Sequence, residues 1–165
     1  MAANTLIALG SNRRHGRHGS PAGVVAAAVA ALDAAGLRVV RRSRTHSTAA
    51  VGPGGRRFAN AVVAVATDLG PAQVLDVLNG IEAAFGRRGA RRWGARVLDL
   101  DLLAQGPAVL KTRRLTLPHP RLHQRAFVLD PLVEVAPRWR HPLLGATARQ
   151  LHARLHRPKA ASPSP

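Results

Sequence analysis

From Val97 to Leu103 the chain reads VLDLDLL, an aliphatic run interrupted only by Asp99 and Asp101. A short run of that kind is a buried strand, and strand side chains alternate faces, so residues two apart share one face. The two carboxylates then stand about 6.7 Å apart along the chain. At that distance they repel by roughly 0.6 kcal/mol in water and roughly 2.5 kcal/mol at an effective dielectric near 20. An apolar strand that carries such a pair on one face calls for a neutralising cation. Oxygen-only donors suit Mg²⁺, which takes one or two carboxylates and completes its shell with water and phosphate oxygens. Just upstream, Arg91, Arg92, Trp93 and Arg96 are suited to holding phosphates and stacking on a flat ring. The plainer alternative is a surface carboxylate pair bridged to those arginines.

The rest of the pattern says what surrounds this strand. Asn4–Leu9 is a short apolar strand that ends in the turn cluster Gly10-Ser11-Asn12. After a basic loop, Ser20-Pro21 opens a helix with Ser as cap and Pro at its first position. Its stripe is Val24, Val25, Ala28, Val29 and Leu32, and Gly36 closes it. Leu37–Ser43 is a second strand, Thr45–Arg57 a loop without periodicity, and Phe58–Thr67 a third strand apolar enough for a sheet centre. Gly70-Pro71 opens a second helix with Val74, Leu75, Leu78, Ile81 and Phe85 on one side, running through Asn79-Gly80 to Gly86. The order is β-α-β-β-α-β, which predicts an α+β fold of the ferredoxin-like kind, an antiparallel sheet with both helices on one face. Beyond it, Gln105-Gly106-Pro107 reads as a turn into an added C-terminal hairpin, with a strand near Ala108–Leu110 covering the sheet edge. Thr116–Pro120 is extended because of its prolines. Short helices are expected over Asp130–Val135 and Ala146–His156. Residues 1–156 therefore read as one domain, and Arg157–Pro165, with three prolines, as a disordered tail.

Composition narrows the chemistry. Aromatics are only 3% of the 165 residues and Tyr is absent, so Ala, Val and Leu must build the core. There is no Cys, which removes disulfides and thiolate metal sites and fits a reducing compartment. The opening MAANTLIALGSN has no basic region before its apolar residues and no run is long enough to span a bilayer, so the expectation is a cytoplasmic protein with no membrane partner. The net charge of +17, almost all of it Arg, predicts an anionic partner, a nucleotide polyphosphate or a nucleic acid. An Ala/Arg/Gly/Pro-rich chain is also what a GC-rich genome encodes, so the charge does not choose between them.

Four segments choose. IALGSN at Ile7–Asn12, FANAV at Phe58–Val62, Glu82-x3-Gly86-Arg87 followed by RWGARVLDLDLL, and RRLTLPHPRLHQRAFVLDPLVEVAP from Arg113 to Pro137 together resemble the 6-hydroxymethyl-7,8-dihydropterin pyrophosphokinases of folate biosynthesis. The resemblance implies a transferase that moves the β,γ-pyrophosphoryl unit of ATP to the pterin hydroxymethyl oxygen and releases AMP. It implies two Mg²⁺ ions on Asp99 and Asp101, with Arg92 as a third catalytic residue. ATP contacts are implied for Glu82, Arg87, Arg88, Arg92, Trp93, Arg96, Arg114, Thr116, His119 and Arg125. Pterin contacts are implied for Thr48, Val51, Phe58, Asn60, Trp93 and Phe127, with the two phenylalanines stacking on the ring and Asn60 reading its edge. The expected partners are those two small molecules, with no nucleic acid, and the chain is expected to be a monomer.

Two departures stand out. The family's T-x-P-x-G loop is here Thr48-Ala49-Ala50-Val51-Gly52, and Gly89 replaces an arginine, with Arg88 and Arg91 as the neighbouring substitutes. The competing class is a basic ferredoxin-like RNA-binding domain. Such domains stack bases on two or three aromatics of the central strands, whereas here the third strand offers Phe58 alone and TLIAL offers none. Nor does that class account for paired aspartates. A zinc site from His119 and His123 is weaker still, since Pro120 prevents their pairing on a helix.

Overall fold

A computed structural model describes residues 4–12, 15–48, 57–86 and 97–158. Its elements are β1 (Thr5–Ser11), α1 (Pro21–Ala34), β2 (Arg38–Arg42), β3 (His46–Thr48), β4 (Phe58–Ala66), α2 (Pro71–Gly86), β5 (Asp99–Gln105), β6 (Leu110–Lys111), β7 (Thr116–Leu117), α3 (Ala126–Val135) and α4 (Ala148–Leu155). The architecture is α+β: an antiparallel sheet in the order β2-β4-β1-β5, with β3 also pairing to β4, and helices packed on it. None of the helices among the described residues is long and apolar enough to cross a membrane.

The central strands are covered on both faces, which explains why β4 reads as an unbroken apolar run from Ala61 to Ala66. On one face Ile7, Leu9, Val63, Val65, Leu100 and Leu102 pack with Val24, Val25, Leu32, Val74 and Leu78 from α1 and α2. On the other, Leu6, Val62, Ala64 and Leu103 pack with Val128, Leu129 and Leu132 of α3 and Leu151 of α4. Helix α1 starts where its signals put it: the Ser20 side chain accepts the Gly23 N–H, and Pro21 sits in the first turn. Gly36, at φ +89°, supplies the left-handed residue that ends it. Helix α2 runs through Asn79-Gly80 because Val74, Leu78, Ile81 and Phe85 are all buried on one stripe.

Three expectations are corrected. The loop read over Thr45–Arg57 contains β3, whose residues pair His46↔Asn60, Ser47↔Ala59 and Thr48↔Phe58; three polar residues show no periodicity, and backbone pairing alone makes them a strand. The strand after the Gln105–Pro107 turn does not join the sheet edge. Leu110–Lys111 pairs with Thr116–Leu117 in a separate two-stranded ladder, a closure over so few residues that it costs little chain entropy. The edge of β5 is met by the following segment, where the His119 N–H donates to the Leu103 carbonyl at 2.8 Å. Finally, α3 begins at Ala126 and not at Asp130, so Pro131 lies inside it. A proline inside a helix costs roughly 3 kcal/mol, but burying Val128, Leu129 and Leu132 returns roughly 1.5–3 kcal/mol each. Helix α4 starts with a capping box, Thr147 and Gln150 bonding each other's backbone N–H.

Candidate active site

The row of side chains that builds the α3 side of the core changes character toward one end of the sheet. Along β4 it passes from Ala64 and Val62 to Asn60 and Phe58; along β5, from Leu103 to Asp101 and Asp99. The register brings these ends together around the end of β1. Gly10 is paired with Asn60 on one side and Asp99 on the other, and Ala8 with Asp101. A side chain at Gly10 would put its Cβ 3.0 Å from Asn60 Oδ1, so glycine lets the amide and the carboxylates share that face.

The result is a cavity of about 520 Å³. Its floor is the Ala8–Asn12 segment. Thr48, Phe58 and Asn60 form one wall, Asp99 and Asp101 the opposite one, and Arg125, Phe127 and Val128 reach in from the start of α3. Phe58 and Phe127 are 39% and 44% exposed, against 9% for Phe85, which is buried in the core as its helix stripe requires. Two large rings are thus left open to the cavity in a chain with so few aromatics. The Arg125 guanidinium lies over the Phe127 ring, 5.4 Å from its centroid. Carboxylates, an arginine and two open rings around one cavity can hold a flat heterocycle beside a cation-bound polyanion.

His119 stands at the edge of this arrangement. Its Nδ1 accepts the Arg121 N–H at 3.2 Å, which leaves the ring proton on Nε2. Burial holds its pKa below the usual histidine value; Asp101 opposes that, and Arg125 and Arg121 reinforce it. The ring thus offers an N–H donor near Asp101. The remaining residues singled out by sequence are more dispersed. Glu82 is buried on α2 and its Oε2 accepts the Leu100 N–H at 3.1 Å, bracing β5 between the two aspartates from the opposite face. Arg114 is exposed and paired with Asp76 of α2, and Thr116 belongs to β7; neither lines the cavity. Val51, Arg87, Arg88, Arg92, Trp93 and Arg96 lie outside the described residues.

Gly10, Ser11 and Asn12 line the cavity without having been singled out individually, and their signal was the turn cluster at the end of an apolar strand. A second group had no local signal. Glu134 of α3 accepts from the Arg44 N–H at 3.0 Å, from Arg44 Nε at 3.3 Å and from His46 Nε2, tying α3 to the strand that leads to Thr48. Burial raises the Glu134 pKa, but these three bonds outweigh it and hold the group below the ordinary carboxylate value.

Fold and site define a class: an α+β protein with paired carboxylates and two open phenylalanine rings lining one cavity at the end of an antiparallel sheet. The family model for 7,8-dihydro-6-hydroxymethylpterin-pyrophosphokinase (HPPK) matches residues 6–137. Proteins named 2-amino-4-hydroxy-6-hydroxymethyldihydropteridine pyrophosphokinase are similar over most of the chain. The one from Methylorubrum extorquens is 46% identical over 133 residues, covering 79% of this chain and 81% of its own. That from Pseudomonas aeruginosa is 40% identical over 147 residues, 86% of each. That from Synechocystis is 43% identical over 117 residues, 71% of this chain and 60% of its own. The chain belongs to the HPPK family. The RNA-binding alternative finds no support among these relatives.

Proposed function

We propose that this protein transfers pyrophosphate from ATP to 6-hydroxymethyl-7,8-dihydropterin, giving the pterin diphosphate and AMP in folate biosynthesis. The observation that carries this reading is the cavity in which Phe58, Phe127 and Asn60 face Asp99 and Asp101. The pterin lies between the two rings, and the Asn60 amide bonds the donors and acceptors along its edge. Its hydroxymethyl group then points toward the aspartate side. The hydroxyl oxygen forms a bond to the β-phosphorus of ATP as the bond from that phosphorus to the AMP oxygen breaks, and the hydroxyl proton passes to solvent water. Such a transfer needs alignment and charge stabilisation more than covalent help from the protein.

Two carboxylates on one strand face, beside a glycine that keeps the space open, are a donor set that fits Mg²⁺. Two ions held there by Asp99 and Asp101 would offset triphosphate charge and polarise its oxygens. Arg125 and the His119 Nε2–H donate to phosphate oxygens beside them. Arg92, Trp93 and Arg96, with Arg87 and Arg88, supply the remaining contacts to ATP, and Thr48 and Val51 flank the pterin. Arg114 and Thr116 act on the nucleotide from the β6–β7 side, and Glu82 keeps β5 in register.

The strand order and the packing of α1 and α2 on one face support a ferredoxin-like reading of the sheet, with β6, β7, α3 and α4 as the C-terminal addition. The same reading takes residues 1–156 as one monomeric catalytic domain. The cysteine-free composition supports a cytoplasmic setting. The test is incubation with ATP, Mg²⁺ and the reduced pterin alcohol, followed by nucleotide chromatography. AMP should appear in step with pterin diphosphate; ADP in its place would mean transfer of a single phosphoryl group and a different reaction.

A further inference from the structure

Away from the cavity, α3 and α4 bring together three side chains that the reaction does not use. Asp130 projects from α3, and His152 and His156 lie one helical turn apart along and just beyond α4. Both imidazole Nε2 atoms reach the same carboxylate oxygen, Asp130 Oδ1, at 2.8 Å. The three possible ligand atoms lie within 4.8 Å of one another. We propose that Asp130, His152 and His156 form a binding site for a transition-metal dication of the zinc class.

The donor set carries the choice of ion. Two imidazoles and one carboxylate suit Zn²⁺ and its neighbours, whereas Mg²⁺ and Ca²⁺ take oxygens. Ligands of a tetrahedral ion at about 2.0–2.1 Å stand roughly 3.3–3.4 Å apart, so the Nε2–Oδ1 distances of 2.8 Å need to open only slightly. Each ring shifts its proton to Nδ1 and turns the Nε2 lone pair to the ion, with no change of net ring charge. Water takes the fourth position, since the three side chains are 34–47% exposed and solvent reaches them.

The backbone geometry is held independently of any ion. Leu129, adjacent to Asp130, and Leu151, adjacent to His152, are both buried in the core that joins the two helices. A metal here would clamp α4 to α3, whose first turn supplies Phe127 to the cavity. Without a metal, the same three groups form a surface hydrogen-bonded triad of little consequence for stability. Metal binding separates the two cases.

The full-length protein, stripped with EDTA, would be titrated with Co²⁺ and followed by visible absorption, then with Zn²⁺ by calorimetry and thermal melting. One equivalent should bind in each titration, with a tetrahedral-type cobalt band displaced by Zn²⁺ and a higher melting temperature in Zn²⁺. His152→Ala and Asp130→Asn should weaken binding by at least the roughly 10- to 100-fold that even an outer-shell partner is worth, while their metal-free melting confirms folding. Asp101→Asn should retain the band, which distinguishes this site from the cavity carboxylates. No stoichiometric binding, a band unchanged in His152→Ala, or a band lost only in Asp101→Asn would each overturn the proposal.

Discussion

Asp99 and Asp101 occupy successive positions on one face of β5, next to Gly10 and Ala8 of β1. Sheet pairing on β1 secures their backbone, so truncating either should leave the fold in place. Asp99→Ala and Asp101→Ala are expected to lower turnover by at least about a hundredfold, the scale for losing one preorganised charge-stabilising group. Melting temperatures should stay close to wild type, and near-normal activity in either variant would remove the metal assignment. The rings make a different prediction. Phe58 and Phe127 are exposed to the cavity and contribute little to the core. Leucine at either position should weaken pterin binding several-fold, because a ring stack adds roughly 0.5–1.5 kcal/mol beyond burial. ATP binding should be nearly unchanged; binding measurements with each ligand separately decide between a stacking role and a structural one.

The elements bring distant residues to one place. The start of α3 delivers its cap residue Arg125 and Phe127 to one side of the cavity, and β3 delivers Thr48 to the other. Glu134 joins the two by accepting from Arg44 and His46. Glu134→Gln keeps the shape and removes the charge, so the β3 side should loosen. The KM for pterin should rise by roughly fivefold, equivalent to about 1 kcal/mol for a partly exposed hydrogen-bonded group, with the KM for ATP unaffected. Steady-state kinetics with each substrate varied would check this. The beginning of α3 was the part of this arrangement that local sequence misread. Pro131 resembles a helix-start signal, and only the burial of Val128 and Leu129 against the sheet shows why the helix begins before it. The short strand β3 carries no local signal either, since its three polar residues are ordered by β4 across from them.

At the scale of the whole molecule, acid should act on stability through groups the fold keeps uncharged or keeps charged. His141 is buried and its Nδ1 accepts the N–H groups of Leu143 and Leu144. Burial, and then the nearby His123, lower its pKa below the ordinary 6.5. The unfolded chain therefore takes up the proton first, and the stability His141 contributes is complete above pH 6.5 and declines as pH falls below it. His119, lowered by burial, acts in the same direction. Glu134, held below its usual 4.5, adds a second loss only at more acid pH, as it becomes protonated. Thermal melting from pH 8 to 5 should show the first decline, and His141→Asn, which keeps an acceptor near Nδ1 but does not titrate, should flatten part of it. An unaltered slope in that variant would place the effect elsewhere.

What the sequence by itself determined was local. Two aspartates on one strand face, the caps at Ser20-Pro21 and Gly36, and the stripes of α1 and α2 follow from side-chain periods that hold wherever a strand or helix forms. The tertiary structure alone decided what covers the second face of the sheet and where α3 starts. It joined His46 to Glu134 across 88 residues and Asp130 to two histidines of the C-terminal helical segment. No periodicity encodes such pairs, because each partner's own segment would fold the same way without the other. They come from packing two apolar helix faces onto a sheet that already had one face filled.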